Sequence, residues 1–200
     1  MSSDPAPPLI LATSNQDKVA ELAGLLGDRF VVRARPADLA ETIEDGETLA
    51  ANALKKAREV TEHTGAAALA DDTGLFVAAL DGRPGVRTGR FAGPAATYDD
   101  NVDKLLAELS AFGEPEARGA EFRTVIAAIW PEGDELVVEG RVAGWICPER
   151  RGDAGFGYDP VFIPLEGGGR SFAEMTIDEK NQFSHRARAI AAFLDALDER

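Results

Sequence analysis

Strand-like and helical segments alternate irregularly along this 200-residue chain, and this alternation constrains the possible folds most strongly. The short apolar run 9–12 predicts a buried strand, whereas residues 49–63 repeat apolar side chains at helical spacing. Residues 122–130 and 135–142 flank a Pro-Glu-Gly turn and predict an antiparallel hairpin. A purely parallel sheet has no hairpin of this kind. The pattern therefore predicts an α/β fold of the mixed α+β type, with a long mixed β-sheet and flanking helices.

Length and composition fit one domain, or two lobes around one cleft. The hydrophobic fraction of 44% is large enough for a sizeable core. Residues 1–8 are polar and rich in proline, so we predict a disordered N-terminal tail followed by a single domain over residues 9–200. This tail has neither the basic nor the apolar region of a signal peptide. The longest apolar run, residues 125–130, is too short to span a membrane.

The charge of the chain restricts its partners. A formal net charge of −14 repels nucleic acids and anionic membranes, so we expect it to bind neither. A phosphate ligand would then need a local cationic pocket, a divalent metal, or both. The single cysteine, Cys147, suits a reducing compartment, and we expect a cytoplasmic protein.

Residues 13–18 form a polar segment between the first predicted strand and a predicted helix. A strand, loop and helix in this order aim backbone N–H groups at an anion. The segment lacks the glycines of a Walker loop, but its hydroxyl, amide and ammonium groups are suited to holding phosphates. The alternative is that Thr13 or Asn15 only caps the helix.

Asp71 and Asp72 follow a run of small apolar residues and precede Gly74. Neighbouring side chains on an extended strand face opposite ways, so one carboxylate would enter a site and the other would not. Such a pair suits a metal-bound phosphate reaction. The alternative is that both aspartates are turn residues before the glycine.

Two further segments carry groups for recognition. Phe156 lies between two glycines and offers an aromatic plane for a base, while Asp159 is suited to accepting a hydrogen bond from a ring N–H. The alternative is a hairpin turn with a core aromatic residue. His185 and Arg186 follow Ser184, a candidate cap, at the start of the last helix. The helix dipole disfavours cations at that end, which indicates a role in recognition.

These motifs together resemble the inosine/xanthosine triphosphate pyrophosphatase (ITPase) family over residues 9–197. The resemblance rests on segments that occur here in the family's order: Thr13–Lys18, Ala70–Gly74, Gly82–Gly85, Gly155–Pro160, Phe172–Met175 and Glu179–Arg186. The chain departs from the family at Ser14, where glycine is usual, and at Thr73, where serine is frequent. Neither change removes a catalytic group.

The resemblance implies two lobes around a central nucleotide cleft, and a homodimer. It implies Mg²⁺-dependent hydrolysis of non-standard purine nucleoside triphosphates (dITP, ITP and XTP) to the monophosphate and pyrophosphate. One alternative is a purine-nucleotide sensor without turnover, which Asp72 and the acidic residues near Glu44 argue against. Another is a metal-dependent phosphatase that releases orthophosphate, for which base-reading residues would have little use.

The resemblance also implies roles for residues. Asp72 would be the general base and, with Glu44, a magnesium ligand, while Thr73 would touch the substrate. The implied triphosphate-binding set is Thr13, Asn15 and Lys18, with Lys56 assisting, and the neighbours Ser14, Gln16 and Asp17 belong to the same substrate-binding segment. The implied base-binding and sugar-binding set is Phe156, Gly157, Tyr158, Asp159, Lys180, His185 and Arg186.

Overall fold

The computed structural model describes residues 6–200, and within them the chain forms seven strands and five α-helices. The strands are β1 (Pro8–Leu11), β2 (Val31–Arg33), β3 (Ala68–Val77), β4 (Pro84–Gly85), β5 (Gly119–Ile129), β6 (Glu135–Ile146) and β7 (Phe162–Pro164). The helices are α1 (Gln16–Leu26), α2 (Leu49–Thr64), α3 (Tyr98–Glu108), α4 (Ile177–Asn181) and α5 (His185–Asp198).

The strands form one mixed sheet in the order β2-β1-β3-β5-β6-β7, with β4 paired to β3. Strand β1 pairs in parallel with β2 and β3, whereas the β3–β4 and β6–β7 pairs are antiparallel. Strands β5 and β6 are neighbours joined by a short turn at 130–134, as a hairpin requires. The predicted mixed sheet with flanking helices is confirmed.

The described chain divides into two compact units. The first contains the described residues through Asp72, together with Val125–Glu139 and Ala189–Arg200. The second contains Thr73–Thr124 and Gly140–Arg188. Strands β3, β5 and β6 and helix α5 each contribute residues to both units.

The core of the first unit forms around β1. Leu9 and Leu11 of this strand pack with Leu22 of α1 and Phe193 of α5. Ile10, which alternates with them, packs in a second cluster with residues of α2 and β3. Helix α2 begins at its cap Thr48, whose hydroxyl accepts from the Ala51 N–H, and ends at Gly65 in the left-handed conformation. Ala57 and Val60 of α2 pack against the sheet in this second cluster.

The second unit has a core rich in aromatic residues. Phe122 of β5 packs edge-on against Phe162 of β7, with ring centroids 4.7 Å apart, and Phe172 stacks on Phe162. Helix α3 adds Val102 and Leu105 to this core. It begins with a capping box between Thr97 and Asp100, in which each side chain accepts from the other residue's backbone N–H.

The interpretation of Asp71 and Asp72 as turn residues is wrong. Both lie inside β3, which continues through Gly74 to Val77. A Cβ at Gly74 would lie 2.9 Å from the Gly85 carbonyl oxygen and 2.8 Å from the Phe76 ring. The glycine therefore permits close approach within the sheet and does not make a turn.

The N-terminal boundary falls slightly earlier than the sequence suggested. Most of the predicted tail, residues 1–5, lies outside the described residues, but Pro8 already belongs to β1 and the Pro7 carbonyl accepts from the Val31 N–H. The assignment of residues 9–200 to one domain stays a prediction. No helix within residues 6–200 is both long and apolar enough to cross a membrane.

Candidate functional site

The two adjacent aspartates of β3 have different lysine partners. The Asp71 carboxylate lies 3.1 Å from Lys18 Nζ of α1, and the Asp72 carboxylate lies 3.1 Å from Lys56 Nζ of α2. Both aspartates are buried. This separation follows from the alternation of side chains along a strand. The first unit therefore holds two buried carboxylates, each beside an ammonium group.

Three oxygen atoms converge on the ammonium of Lys56. It donates to Glu44 Oε1 at 2.9 Å, to the Asp71 carbonyl at 2.7 Å and to Asp72 Oδ1 at 3.1 Å. Burial lowers the pKa of Lys56, but the charges of Asp72, Asp71 and Glu44 outweigh it, and the net shift of the pKa is upward. Lys56 is therefore a charged ammonium at neutral pH.

The environment of Asp72 makes its carboxylate more basic. Burial raises the pKa of Asp72, and the nearby Glu44 charge adds to this, while the charges of Lys56 and Lys18 lower it. Burial is the largest of these effects, so the net shift of the pKa is upward. An Asp72 with a raised pKa accepts a proton more readily than an exposed aspartate.

Asn52 belongs to this site, although the sequence interpretation did not include it. Its Nδ2 donates to Asp72 Oδ2 at 3.2 Å, and its Oδ1 accepts from the Gly46 N–H at 2.8 Å. The side chain is fully buried. The available signal was a polar residue four positions before Lys56 on the inward face of α2. Asn52 links the general-base candidate to the acidic loop, defined here as residues 36–47.

The segment before α1 is organised as a helix cap. Asn15 Oδ1 accepts from the N–H groups of Asp17 and Lys18 at 3.0 and 3.2 Å, and Thr13 Oγ1 accepts from the Asn15 N–H at 3.2 Å. Asn15 therefore caps α1; whether this is its only role is not decided by the cap. Gln16 Nε2 donates to the carbonyl of Ser14 at 3.2 Å. Phosphate binding by residues 13–18 stays a prediction.

In the second unit, Asp159 fixes the glycine loop that carries Phe156. Asp159 Oδ2 accepts from Lys180 Nζ at 2.7 Å and from the Phe156 N–H at 3.0 Å. Asp159 and Lys180 are both buried. Gly155 has a φ of 72°, and a Cβ there would lie 2.1 Å from Asp159 Oδ2. Only glycine fits at this position while the carboxylate holds the loop.

Tyr158 points into the core of the second unit. Its ring is buried, and its hydroxyl donates to the Thr88 carbonyl at 3.1 Å. Burial raises the pKa of Tyr158 well above its usual range, so the hydroxyl keeps its proton. The neighbouring Gly157 has a left-handed φ of 63°. The predicted contacts of Tyr158 and Gly157 with base or sugar stay predictions, but the tyrosine hydroxyl is already used within the protein.

His185 and Arg186 begin α5, where Ser184 Oγ accepts from the Ala187 N–H as predicted for a cap. The His185 ring stacks on Phe122 with centroids 4.5 Å apart. Arg186 is buried, and its Nη2 donates to Thr73 Oγ1 at 3.3 Å. The helix dipole disfavours a cation at the start of a helix. The buried Arg186 is therefore held there by tertiary contacts such as that with Thr73.

The Phe156 ring is the common neighbour of two cations. Lys180 Nζ lies 5.3 Å and the Arg186 guanidinium carbon 5.6 Å from its centroid. Tyr98 lies beside the same ring, with centroids 5.8 Å apart. A flat aromatic surface next to fixed hydrogen-bond donors is suited to a heteroaromatic ring that carries acceptor oxygens.

The predicted site residues divide between the two units. The members in the first unit are Thr13, Ser14, Asn15, Gln16, Asp17, Lys18, Glu44, Lys56 and Asp72. The members in the second unit are Thr73, Phe156, Gly157, Tyr158, Asp159, Lys180, His185 and Arg186. The first set is suited to charge neutralisation and proton transfer, and the second set to recognition of a base.

Comparison with known proteins identifies relatives along nearly the whole chain. The model of the Ham1 family matches residues 9–196. A dITP/XTP pyrophosphatase of Methylococcus capsulatus is 44% identical over 94% of this chain and 95% of its own length. A dITP/XTP pyrophosphatase of Porphyromonas gingivalis is 48% identical over 94% of this chain and 96% of its own length.

Solved structures give the same result for the fold. A HAM1 protein from Coxiella burnetii superimposes with a TM-score of 0.84 at 37% identity, covering 97% of this chain and all of the other. A nucleoside-triphosphatase / dITP/XTP pyrophosphatase from Mycobacterium abscessus superimposes with a TM-score of 0.74 at 43% identity, covering 94% of this chain and 98% of the other.

Proposed function

This chain belongs to the Ham1 family, and we propose that it hydrolyses non-canonical purine nucleoside triphosphates such as dITP, ITP and XTP. The products are the nucleoside monophosphate and pyrophosphate. The proposal is supported by relatives named dITP/XTP pyrophosphatase that are 44–48% identical over 94% of the chain. Such an enzyme removes non-standard purines from the nucleotide pool.

The observation that carries the proposal is the buried Asp72 carboxylate. Lys56 and Asn52 donate to its two oxygen atoms, which fixes its orientation. Its raised pKa makes it a better proton acceptor for an attacking water molecule. Lys18 and Lys56 only partly balance the three carboxylates that they contact, Asp71, Asp72 and Glu44, so an anionic triphosphate also needs the divalent ion proposed next.

We propose Mg²⁺ as the cofactor, held by Glu44 and Asp72. Oxygen atoms of both carboxylates lie within 3.1 Å of the Lys56 ammonium, so they already face a common cation. Within residues 6–200 no three acidic, His or Cys side chains form a metal cluster, but Mg²⁺ commonly uses one or two carboxylates plus substrate phosphates. When bound, the ion neutralises phosphate charge and lowers the pKa of a bound water molecule.

Base selection follows from the donors of the second unit. Hypoxanthine and xanthine carry an acceptor oxygen at C6, whereas adenine carries an amino donor. Arg186 only donates hydrogen bonds, and His185 donates in either tautomer. A buried donor that faces the adenine amino group loses its partner, at a cost of about 1–3 kcal/mol. Guanine shares the C6 oxygen, so rejection of GTP requires a separate contact at C2.

Three further features are part of the proposal. The enzyme acts as a homodimer in the cytoplasm, and its net charge of −14 disfavours nucleic acids and anionic membranes as partners. A sensor without turnover is not favoured, because the relatives of this chain are named as pyrophosphatases.

A substrate panel tests the function. Hydrolysis of ITP, XTP, dITP, GTP and ATP is measured with Mg²⁺, and kcat/KM is compared across the set. We expect the hypoxanthine and xanthine nucleotides to exceed ATP and GTP. The Asp72→Asn variant serves as the matched blank. Equal activity on all five nucleotides, or none on ITP and XTP, contradicts the proposal.

A further inference from the structure

A hydrogen bond between two threonine hydroxyls connects strands β3 and β5 next to Arg186. Thr73 of β3 and Thr124 of β5 approach with their Oγ1 atoms 2.6 Å apart. Thr124 is fully buried, and Thr73 is half-buried. Thr73 Oγ1 also accepts from Arg186 Nη2 at 3.3 Å. The three side chains therefore form a chain of hydrogen bonds that starts in the sheet and ends at the guanidinium group.

We propose that Thr124 is a positioning residue for base recognition, acting through Thr73 on Arg186. This inference rests on the proposed function, in which Arg186 reads the base. Thr124 itself touches no substrate. Its hydroxyl holds the Thr73 side chain in the rotamer whose oxygen faces Arg186, and so it sets the direction of the Arg186 donors.

The inventory of donors and acceptors supports this role. Arginine only donates, so the Thr73 oxygen must be the acceptor in the contact with Arg186. At 2.6 Å one of the two hydroxyls donates to the other, in either direction. Rotating Thr73 away from Arg186 would break that bond and leave the buried Thr124 hydroxyl unsatisfied, which is costly. The buried hydroxyl therefore restricts Thr73 to one orientation.

The position of Arg186 explains why orientation matters. Its guanidinium carbon lies 5.6 Å from the Phe156 ring centroid, beside the plane on which a base would stack. A planar guanidinium recognises an acceptor only when its N–H groups point at the acceptor. A small rotation of the guanidinium group would therefore weaken its contact with the C6 oxygen of a base.

The test compares Thr124→Val with Thr124→Ser. Valine has a shape similar to threonine but no hydroxyl, whereas serine keeps the hydroxyl. The readout is equilibrium affinity for IMP and AMP, which carry the same phosphate and differ in the base. We expect Thr124→Val to weaken the affinity for IMP by about 2- to 12-fold, the equivalent of one net hydrogen bond. The affinity for AMP should be nearly unchanged. Thr124→Ser should restore most of the IMP affinity.

Thr61→Val is the matched control. Thr61 is also a buried threonine, and its hydroxyl donates to the Ile129 carbonyl in the first unit. This variant should lower the free energy of unfolding but keep the IMP-to-AMP affinity ratio of the wild type. This control separates the general effect of losing a buried hydroxyl from an effect on base recognition.

A double-mutant comparison tests the route through Arg186. In an Arg186→Ala background, Thr124→Val should change the IMP-to-AMP ratio by less than about twofold, because the group that it positions is gone. The inference is overturned if the IMP-to-AMP affinity ratio of Thr124→Val equals that of the wild type, or if Thr124→Ser does not recover the IMP affinity. It is also overturned if the effects of Thr124→Val and Arg186→Ala are fully additive, or if the wild type binds IMP no better than AMP. Hydrolysis of ITP by the wild type is scored separately, so base preference without turnover contradicts only the proposed function.

Discussion

Lys56 Nζ lies 3.1 Å from Asp72 Oδ1 and at the same time 2.9 Å from Glu44 Oε1. One ammonium group thus joins the buried carboxylate of β3 to a carboxylate of the acidic loop. In the proposed reaction, the same two carboxylates hold the metal ion. The charge of Lys56 therefore keeps the carboxylates close together whenever no metal ion is bound.

Replacing Lys56 with methionine should destabilise the protein and make its stability dependent on Mg²⁺. Removing one partner of a buried ion pair costs about 3–5 kcal/mol, because the remaining charge has no compensation. Added Mg²⁺ should recover part of this loss by binding the two carboxylates. Thermal unfolding with and without Mg²⁺ measures both effects, with the exposed pair Lys55–Asp45 as the control site for a Lys55→Met variant. If Mg²⁺ raised the unfolding temperature equally in the wild type and both variants, the interpretation that Lys56 and Mg²⁺ bind the same two carboxylates would be contradicted.

Asp72→Asn should reduce turnover far more than substrate binding. The substitution keeps the size of the side chain but removes its basicity, and loss of a general base costs about 10²- to 10⁴-fold. Asp71→Asn is the matched control, because Asp71 is the neighbouring buried carboxylate with a different lysine partner. Steady-state kinetics with ITP should show a much smaller loss for Asp71→Asn. Similar losses for both variants would mean that charge, and not proton transfer, explains the role of Asp72.

Asn52→Leu should lower both stability and turnover. It removes one buried hydrogen bond to the Asp72 carboxylate and one from the Gly46 N–H, together worth about 2–4 kcal/mol of the free energy of unfolding. The orientation of Asp72 and the attachment of the acidic loop are lost together. Urea unfolding and kcat measure the two effects. A variant that is destabilised but keeps wild-type kcat would show that Asn52 stabilises the fold without positioning the base.

The stability contribution of Cys147 should depend on pH. Its thiol is buried and donates to the Glu149 carbonyl at 2.9 Å, and burial raises the pKa of this thiol. A raised native pKa means that the contribution is complete below the unfolded pKa of about 8.5 and is lost as pH rises through the native value. The difference in unfolding free energy between the wild type and Cys147→Ala should therefore narrow above about pH 8.5. If this difference in unfolding free energy stayed constant from neutral to alkaline pH, the predicted pH dependence would be ruled out.

The local elements were predictable from sequence because their signals are local. The apolar face of α2, its cap Thr48 and its terminator Gly65 are all encoded within one segment. The hairpin of β5 and β6 is likewise encoded by two strand-forming runs and the turn between them. The insertion of β3 between β1 and β5 has no such signal, because it depends on pairing between residues distant in the chain.

The site was predictable in its residue types but only partly in its geometry. A turn was an alternative for the Asp-Asp pair because a glycine follows it, yet this glycine makes room for β4. Asn52 and Thr124 were missed because their roles depend on which strands and helices face each other. Tyr158 belongs to a motif, but its hydroxyl contacts a loop that lies 70 positions earlier in the chain. Long-range packing decides these cases.

Identification of the products of ITP hydrolysis tests the central claim most directly. The wild type is incubated with ITP and Mg²⁺, and the nucleotide and phosphate products are resolved by chromatography, with Asp72→Asn and an EDTA-treated sample as controls. Our account predicts IMP and pyrophosphate in equal amounts, no orthophosphate as a primary product, and loss of activity in both controls. Release of IDP and orthophosphate, or full activity in EDTA, would contradict it.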